Sequence, residues 1–98
     1  SAGSLEGKYE CSYKAMDLDF KVEFASAGEY SWDMDFIGLE KGNYSISGDI
    51  ISFIPTENTR GGKKKKVPDA HKKNIVLKDD KVLIMTNIND SDQFVCKK

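Results

Sequence analysis

Two faces alternate along most of this chain. In "DLDFKVEF" (residues 17–24), Leu18, Phe20, Val22 and Phe24 fall on one side of an extended backbone, and Asp17, Asp19, Lys21 and Glu23 fall on the other. "EYSWDMDF" (29–36) repeats the scheme, with Tyr30, Trp32, Met34 and Phe36 against Glu29, Ser31, Asp33 and Asp35. "YECSY" (9–13) joins it, with Tyr9, Cys11 and Tyr13 in phase. A period of two with one apolar and one charged face predicts antiparallel strands, dry on one side and wet on the other. Helical spacing fits neither long stretch, because acids would then surround the helix.

Turn chemistry divides the remainder. "NYSISGDIISFIP" predicts a hairpin about Gly48-Asp49, with glycine first as a type II′ turn requires, pairing Ile46 with Ile51 and Tyr44 with Phe53. Pro55 is expected to end the second strand of that hairpin. "NIVLK" and "KVLIMT" predict another hairpin around Asp79-Asp80, whose two apolar faces leave the register open. "DQFVCK" closes the chain with Phe94 and Cys96 in phase. The reading gives eight strands, at 6–14, 17–25, 29–37, 42–47, 50–55, 73–78, 81–87 and 92–97. Residues 56–73, "TENTRGGKKKKVPDAHKK", lack periodicity and predict a long, mobile, basic loop. No helix and no internal repeat is expected.

An eight-stranded meander of this length either splits into two sheets or curls shut. If it curls shut, the first and last strands become neighbours, and Cys11 and Cys96 come within reach of a disulfide, with Cα atoms about 5.5 Å apart. The alternative is two buried free thiols. Closing nearly the whole chain into one loop stabilises a fold by roughly 4–5 kcal/mol on the chain-entropy model, and such a bond implies an oxidising compartment. All ten aromatic residues, namely Tyr9, Tyr13, Phe20, Phe24, Tyr30, Trp32, Phe36, Tyr44, Phe53 and Phe94, fall in the inward phase. That many rings in so short a barrel predict a filled interior rather than a roomy pocket.

The 98 residues suit one domain, 1–98. Residues 1–4, Ser-Ala-Gly-Ser, are expected to be a cloning scar or the trimmed end of a precursor. No apolar run reaches the ~18 residues that span a bilayer. Fifteen basic and sixteen acidic side chains nearly cancel, which argues against a dedicated nucleic-acid binder. They are unevenly spread, however: ten acids and four bases in residues 1–49, six and eleven in 50–98. An acidic side and a basic side are expected.

Catalytic chemistry finds little support. His71 sits in the lysine-rich stretch and is expected to be a solvated loop residue, with no serine or cysteine to match it in a triad. No Cys/His spacing suggests zinc, and "NINDSD" (87–92) lacks the glycine and glutamate of a calcium loop. No catalytic residue, metal or cofactor is therefore expected. The candidate partner-binding residues are charged. Asp17, Asp19 and Asp35 form an acidic group, in which pairing about the turn at 25–28 sets Asp19 near Asp35 and Lys21 near Asp33. Arg60, Lys63, Lys64, Lys65, Lys66, Lys72 and Lys73 form a basic group suited to phosphates, anionic lipid head groups or an acidic partner. For each group the competing reading is an ordinary solvated surface.

"GNYSISGDIISF" resembles a hairpin of small bacterial lipocalin-like (calycin-type) domains, and "LEGKYECSY" and "NIVLKDDKVLIM" resemble their first strand and penultimate hairpin. "YEC" and "FVC" are similar to the terminal cysteine strands of membrane-bound inhibitors of c-type lysozyme. Ser26-Ala27-Gly28-Glu29-Tyr30 and Ser45-Ile46-Ser47-Gly48 are the stretches comparable with the inhibitory loop of that second family, and neither is assigned its role. These resemblances imply an antiparallel up-and-down β-barrel, all-β and closed by a first-to-last-strand disulfide. They imply a non-enzymatic bacterial protein of the periplasm, outer surface or secreted fraction, with a lipid anchor or an anionic-surface contact as its membrane association. The expected function is binding of a protein partner through the barrel loops, with hydrolase inhibition as one form. A carrier of a small apolar ligand and a structural envelope domain are the alternatives.

Overall fold

The computed structural model describes residues 5–98, so the expectation for residues 1–4 lies outside it. Nine strands follow in order: β1 (Gly7–Tyr13), β2 (Leu18–Phe24), β3 (Glu29–Asp33), β4 (Leu39–Ser47), β5 (Ile50–Arg60), β6 (Lys63–Lys64), β7 (His71–Lys78), β8 (Val82–Asn87) and β9 (Gln93–Lys97). All pairings are antiparallel, in the order β4-β3-β2-β1-β9-β8-β7-β5, and a β4–β5 pairing closes the ring. Eight strands are therefore staves of a barrel, and β6 is a two-residue strand hung on the end of β5. The closed, all-β, eight-stranded antiparallel barrel is the predicted fold class, and it fits a lipocalin-like architecture.

The register follows the expected phases. Lys21 lies opposite Asp33, Ile46 opposite Ile51 and Tyr44 opposite Phe53. Gly48 has φ 63 and Asp49 does not share the positive sign, as glycine-first turns require. The open register of the late hairpin resolves to Ile75 opposite Met85 and Leu77 opposite Leu83, with these four side chains inward and Val76 in solvent. Asp79 and Asp80 both take left-handed φ in its turn.

β1 and β9 pair, with Cys11 directly opposite Cys96, and the two are disulfide-bonded with Cα atoms 3.9 Å apart. The two residues face each other across one ladder, and their separation is shorter than the expected one. Inside, rings meet across the barrel axis. Phe53 contacts Tyr30 at 4.8 Å and Trp32 at 5.6 Å between centroids, and Trp32 continues to Phe20 at 4.8 Å and Phe94 at 5.7 Å. These edge and stacked contacts fill the interior as predicted.

Several expectations need correction. Pro55 does not end its strand: β5 continues to Arg60. Proline is tolerated because it lies opposite Gly42 beside a bulge in β5 itself: Lys41 pairs with Glu57 and Gly42 with Pro55, which leaves Thr56 as the extra residue where the ladder shifts register. The 56–73 segment is consequently not one long loop. Its first five residues complete β5, Lys63–Lys64 form β6, and His71–Lys73 begin β7. Phe36 breaks the aromatic rule and stands 85 % exposed. The chain leaves the β3 ladder at Asp33, and Asp35 takes φ 54, so the alternation that would have carried Phe36 inward stops two residues short. Asp35–Ile37 is instead a 3₁₀ turn, as is Lys14–Met16. The same departure ends the β2–β3 ladder at Lys21 opposite Asp33, so Asp19 and Asp35 are not ladder partners, although both border one groove.

Candidate binding site at the barrel mouth

Strand direction gives the barrel two unlike ends. The closed end carries the tight connections 25–28, 48–49 and 79–81, and Leu5 is buried there, its carbonyl accepting a 2.9 Å hydrogen bond from the Tyr9 hydroxyl. The opposite end, the mouth, carries connections 14–17, 34–38, 61–70 and 88–92.

Just inside the mouth lies a polar group that alternation builds from three strands. On β7, His71 and Lys73 share the inward phase of Ile75 and Leu77. Glu40 faces them from β4, and Asn87 ends the inward row of β8. Lys73 is 7 % exposed, which is unusual for a lysine. Its ammonium donates to Asn87 Oδ1 at 2.8 Å, contacts His71 Nδ1 at 3.4 Å, and lies over the Trp32 and Phe94 rings. An ammonium can only donate, so Nδ1 is the acceptor and His71 carries its proton on Nε2. That Nε2–H donates to Glu40 Oε2 at 2.9 Å, and the Tyr30 hydroxyl donates to the same oxygen at 2.5 Å.

The electrostatics follow from this chain. Burial pushes the Glu40 carboxyl up, but hydrogen bonds from His71 and Tyr30, with the charge of Lys73 behind them, outweigh it and hold Glu40 below the usual carboxylate range. Burial pushes Tyr30 well above an ordinary phenol, helped by its bond to Glu40. Burial lowers Lys73, partly offset by Glu40 and Asp90.

His71 is thus not a solvated loop residue, and Lys73 is not a free surface cation. Both corrections have one cause: β7 begins at His71, so its inward phase claims residues 71 and 73. The signal was present in "HKKNIVLK", where these positions are in step with Ile75 and Leu77. Glu40 has no signal in the sequence, and the polar roles of Tyr30, expected only as an inward ring, and Asn87, considered only within "NINDSD", depend on register between strands distant in the chain.

The rim above this group divides into two halves. In one, the Tyr13 ring stacks on Phe94 at 4.6 Å and its hydroxyl donates to Asp92 at 2.6 Å, linking connections 14–17 and 88–92. This half exposes Met16 and Ile88 and carries Asp17, Asp90 and Asp92. A groove of about 560 Å³ runs from it to the polar group, bounded by His71, Lys73, Asn87, Ile88 and Asp90. In the other half, Arg60 Nε donates to the Ile37 carbonyl at 2.8 Å, linking connection 34–38 to the end of β5. Arg60, Lys63, Lys64, Lys65 and Lys66 gather there with exposed Phe36 and Val67. Lys72 is exposed on β7 opposite Ser52, and Lys73 is absent from the basic surface.

The acidic group is only partly assembled. Asp19 and Asp35 border one groove together with Lys14, Lys21 and Lys97, so lysines interleave the acids. Asp17 takes φ 51 in the turn entering β2 and is not part of that groove's lining. Among the described residues no group of three or more His, Cys, Asp or Glu side chains is placed to hold a metal ion. No helix is long and apolar enough to cross a membrane. No family model matches the chain, and no curated protein or solved structure matches it.

Proposed function

We propose that this chain is a non-enzymatic, extracytoplasmic bacterial binding protein that engages a protein partner with the connections at its barrel mouth. One observation carries the reading. Each of the four mouth connections sets one large apolar side chain in solvent: Met16, Phe36, Val67 and Ile88. No connection at the closed end does so; the other exposed large apolar residues, Ile54 and Val76, lie on the outer faces of β5 and β7. Single exposed apolar residues are ordinary, but one on every connection at a single end is the composition of an interface, where such anchors carry most of the binding. Met16 and Ile88, flanked by Asp17, Asp90 and Asp92, suit a partner with a basic surface.

Two further observations support binding over the alternatives. Both ring nitrogens of His71 are engaged, by Glu40 and Lys73, and its face stacks on Phe53 at 5.0 Å, so the ring is held in a structural role. The rings that meet across the axis support a solid barrel over a lipocalin-like carrier. The Cys11–Cys96 bond supports an oxidising compartment. Inhibition of a hydrolase is the finer form, supported by the likeness of the terminal cysteine strands to the inhibitors of c-type lysozyme.

Titrating c-type lysozyme into the isotope-labelled protein tests both levels. Shift changes confined to residues 14–17 and 88–92, with micromolar inhibition lost in the Met16→Ser/Ile88→Ser double variant, are the expected outcome. Shift changes on the outer wall or at the closed end refute the mouth as the binding face, and unchanged lysozyme activity removes the inhibitor form.

A further inference from the structure

We propose that the basic half of the mouth is a contact surface for an anionic lipid bilayer. It shares Phe36 and Val67 with the observation behind the partner reading, whose tested contacts are Met16 and Ile88 on the other half of the rim, so the vesicle and lysozyme experiments fail separately.

The first observation is order. The lysines are carried by a built hairpin. Thr59 pairs with Lys64 and Arg60 with Lys63 around Gly61 and Gly62, which take φ 58 and 79. The Lys65 amide donates to the Asn58 carbonyl at 2.8 Å, and Asn58 Nδ2 donates to the Lys66 carbonyl at 2.9 Å. The second is charge. Arg60 and Lys63 are directly opposed, a like-charge pair that weakens a ladder. Among the described residues no carboxylate lies within the 4.0 Å of an ion pair with Arg60 or Lys63–Lys66. Glu57 shares a shallow groove with Lys64 and Lys65 but forms no ion pair there. One or two lysines would blunt the edge of a short strand against unwanted pairing; five adjacent cations on a fixed hairpin exceed that need, and a surface of negative charge relieves their mutual repulsion.

The third observation selects the kind of surface. The Arg60 bond to the Ile37 carbonyl fixes the 3₁₀ turn that presents Phe36, and Val67 follows the lysines directly. One aromatic and one aliphatic side chain thus flank the cations. A bilayer takes both, the rings and methyl groups at the acyl boundary and the ammonium groups at the phosphates. Single-stranded nucleic acid would call for several stacking rings, and this half of the rim exposes one.

Sedimentation of the intact, disulfide-bonded chain with vesicles tests the proposal, using phosphatidylcholine with and without phosphatidylglycerol. Binding is expected only with phosphatidylglycerol, and it weakens with salt. At about five-fold per lysine near a charged surface, the Lys63→Gln/Lys64→Gln/Lys65→Gln/Lys66→Gln variant loses well over ten-fold in partitioning. Phe36→Ser loses several-fold, and Val76→Ser on the outer wall does not change. All these positions are exposed, and unchanged circular dichroism checks that the variants fold. Equal binding to neutral vesicles, no binding, or full binding by the quadruple variant overturns the proposal. So does a Phe36→Ser variant that binds like the parent, an outcome that would leave a general polyanion site, which polyglutamate would also occupy.

Discussion

Gly42 has no room for a side chain. A Cβ there would lie 2.1 Å from the Ile54 carbonyl oxygen and 2.8 Å from the Pro55 Cα, both backbone atoms that cannot swing aside. Gly42→Ala should therefore cost about 3 kcal/mol or more, read as a lowered urea midpoint, while Ser45→Ala nearby stays within about 0.5 kcal/mol. Glu40 gives a different kind of prediction. Its folded pKa is depressed, so its contribution is present above the ordinary carboxylate pKa and is lost as pH falls through the folded value. Glu40→Gln should lower stability at neutral pH by about 1–3 kcal/mol, and the gap to the parent should close in acid. A gap that persists at low pH would mean that packing, not charge, is what Glu40 contributes. Lys73 acts with the same sign, in a higher pH window. Its lowered pKa means the unfolded chain holds that proton more tightly, so stability rises with pH as Lys73 loses its charge. These residue-level roles were the least legible part of the sequence. Glycine at 42 and glutamate at 40 look ordinary until β4 and β5 are laid side by side.

At the scale of elements, legibility followed the strength of alternation. β2, with four apolar residues in step, has the expected phase throughout, and β3 has the expected phase and pairing as far as Asp33. The reading failed where a local signal outweighed phase. Proline suggested a stop at residue 55, and a run of lysines suggested a loop, yet an irregular ladder accommodates the one and a two-glycine turn the other. Trypsin can discriminate between hairpin and loop. A mobile 56–73 loop would be cut after Arg60 as readily as anywhere; the hairpin confines early cleavage to Lys65 and Lys66, beyond the β5–β6 pairing. Mass spectrometry of the first fragments reads the outcome, and early scission after Arg60 would count against an ordered hairpin.

For the whole molecule, closure was the most legible property, because two cysteines in the inward phase of the first and last strands make sense together in a ring of staves. The partners at the mouth were less so, since the rim is made of four connections whose nearness only the closed barrel creates. Replacing both cysteines by alanine should lower stability by roughly 4–5 kcal/mol on the chain-entropy model, measured against the oxidised parent in denaturant. A loss below about 1 kcal/mol would mean that the β1–β9 ladder holds the barrel shut by itself.

The sulfur link between Cys11 and Cys96 spans 85 positions of the sequence. Almost every peptide bond therefore lies within a covalent circle, and a single break within it releases nothing. A molecule nicked once by a protease within that circle would gain only the mass of one water and remain one piece until a reductant reached it.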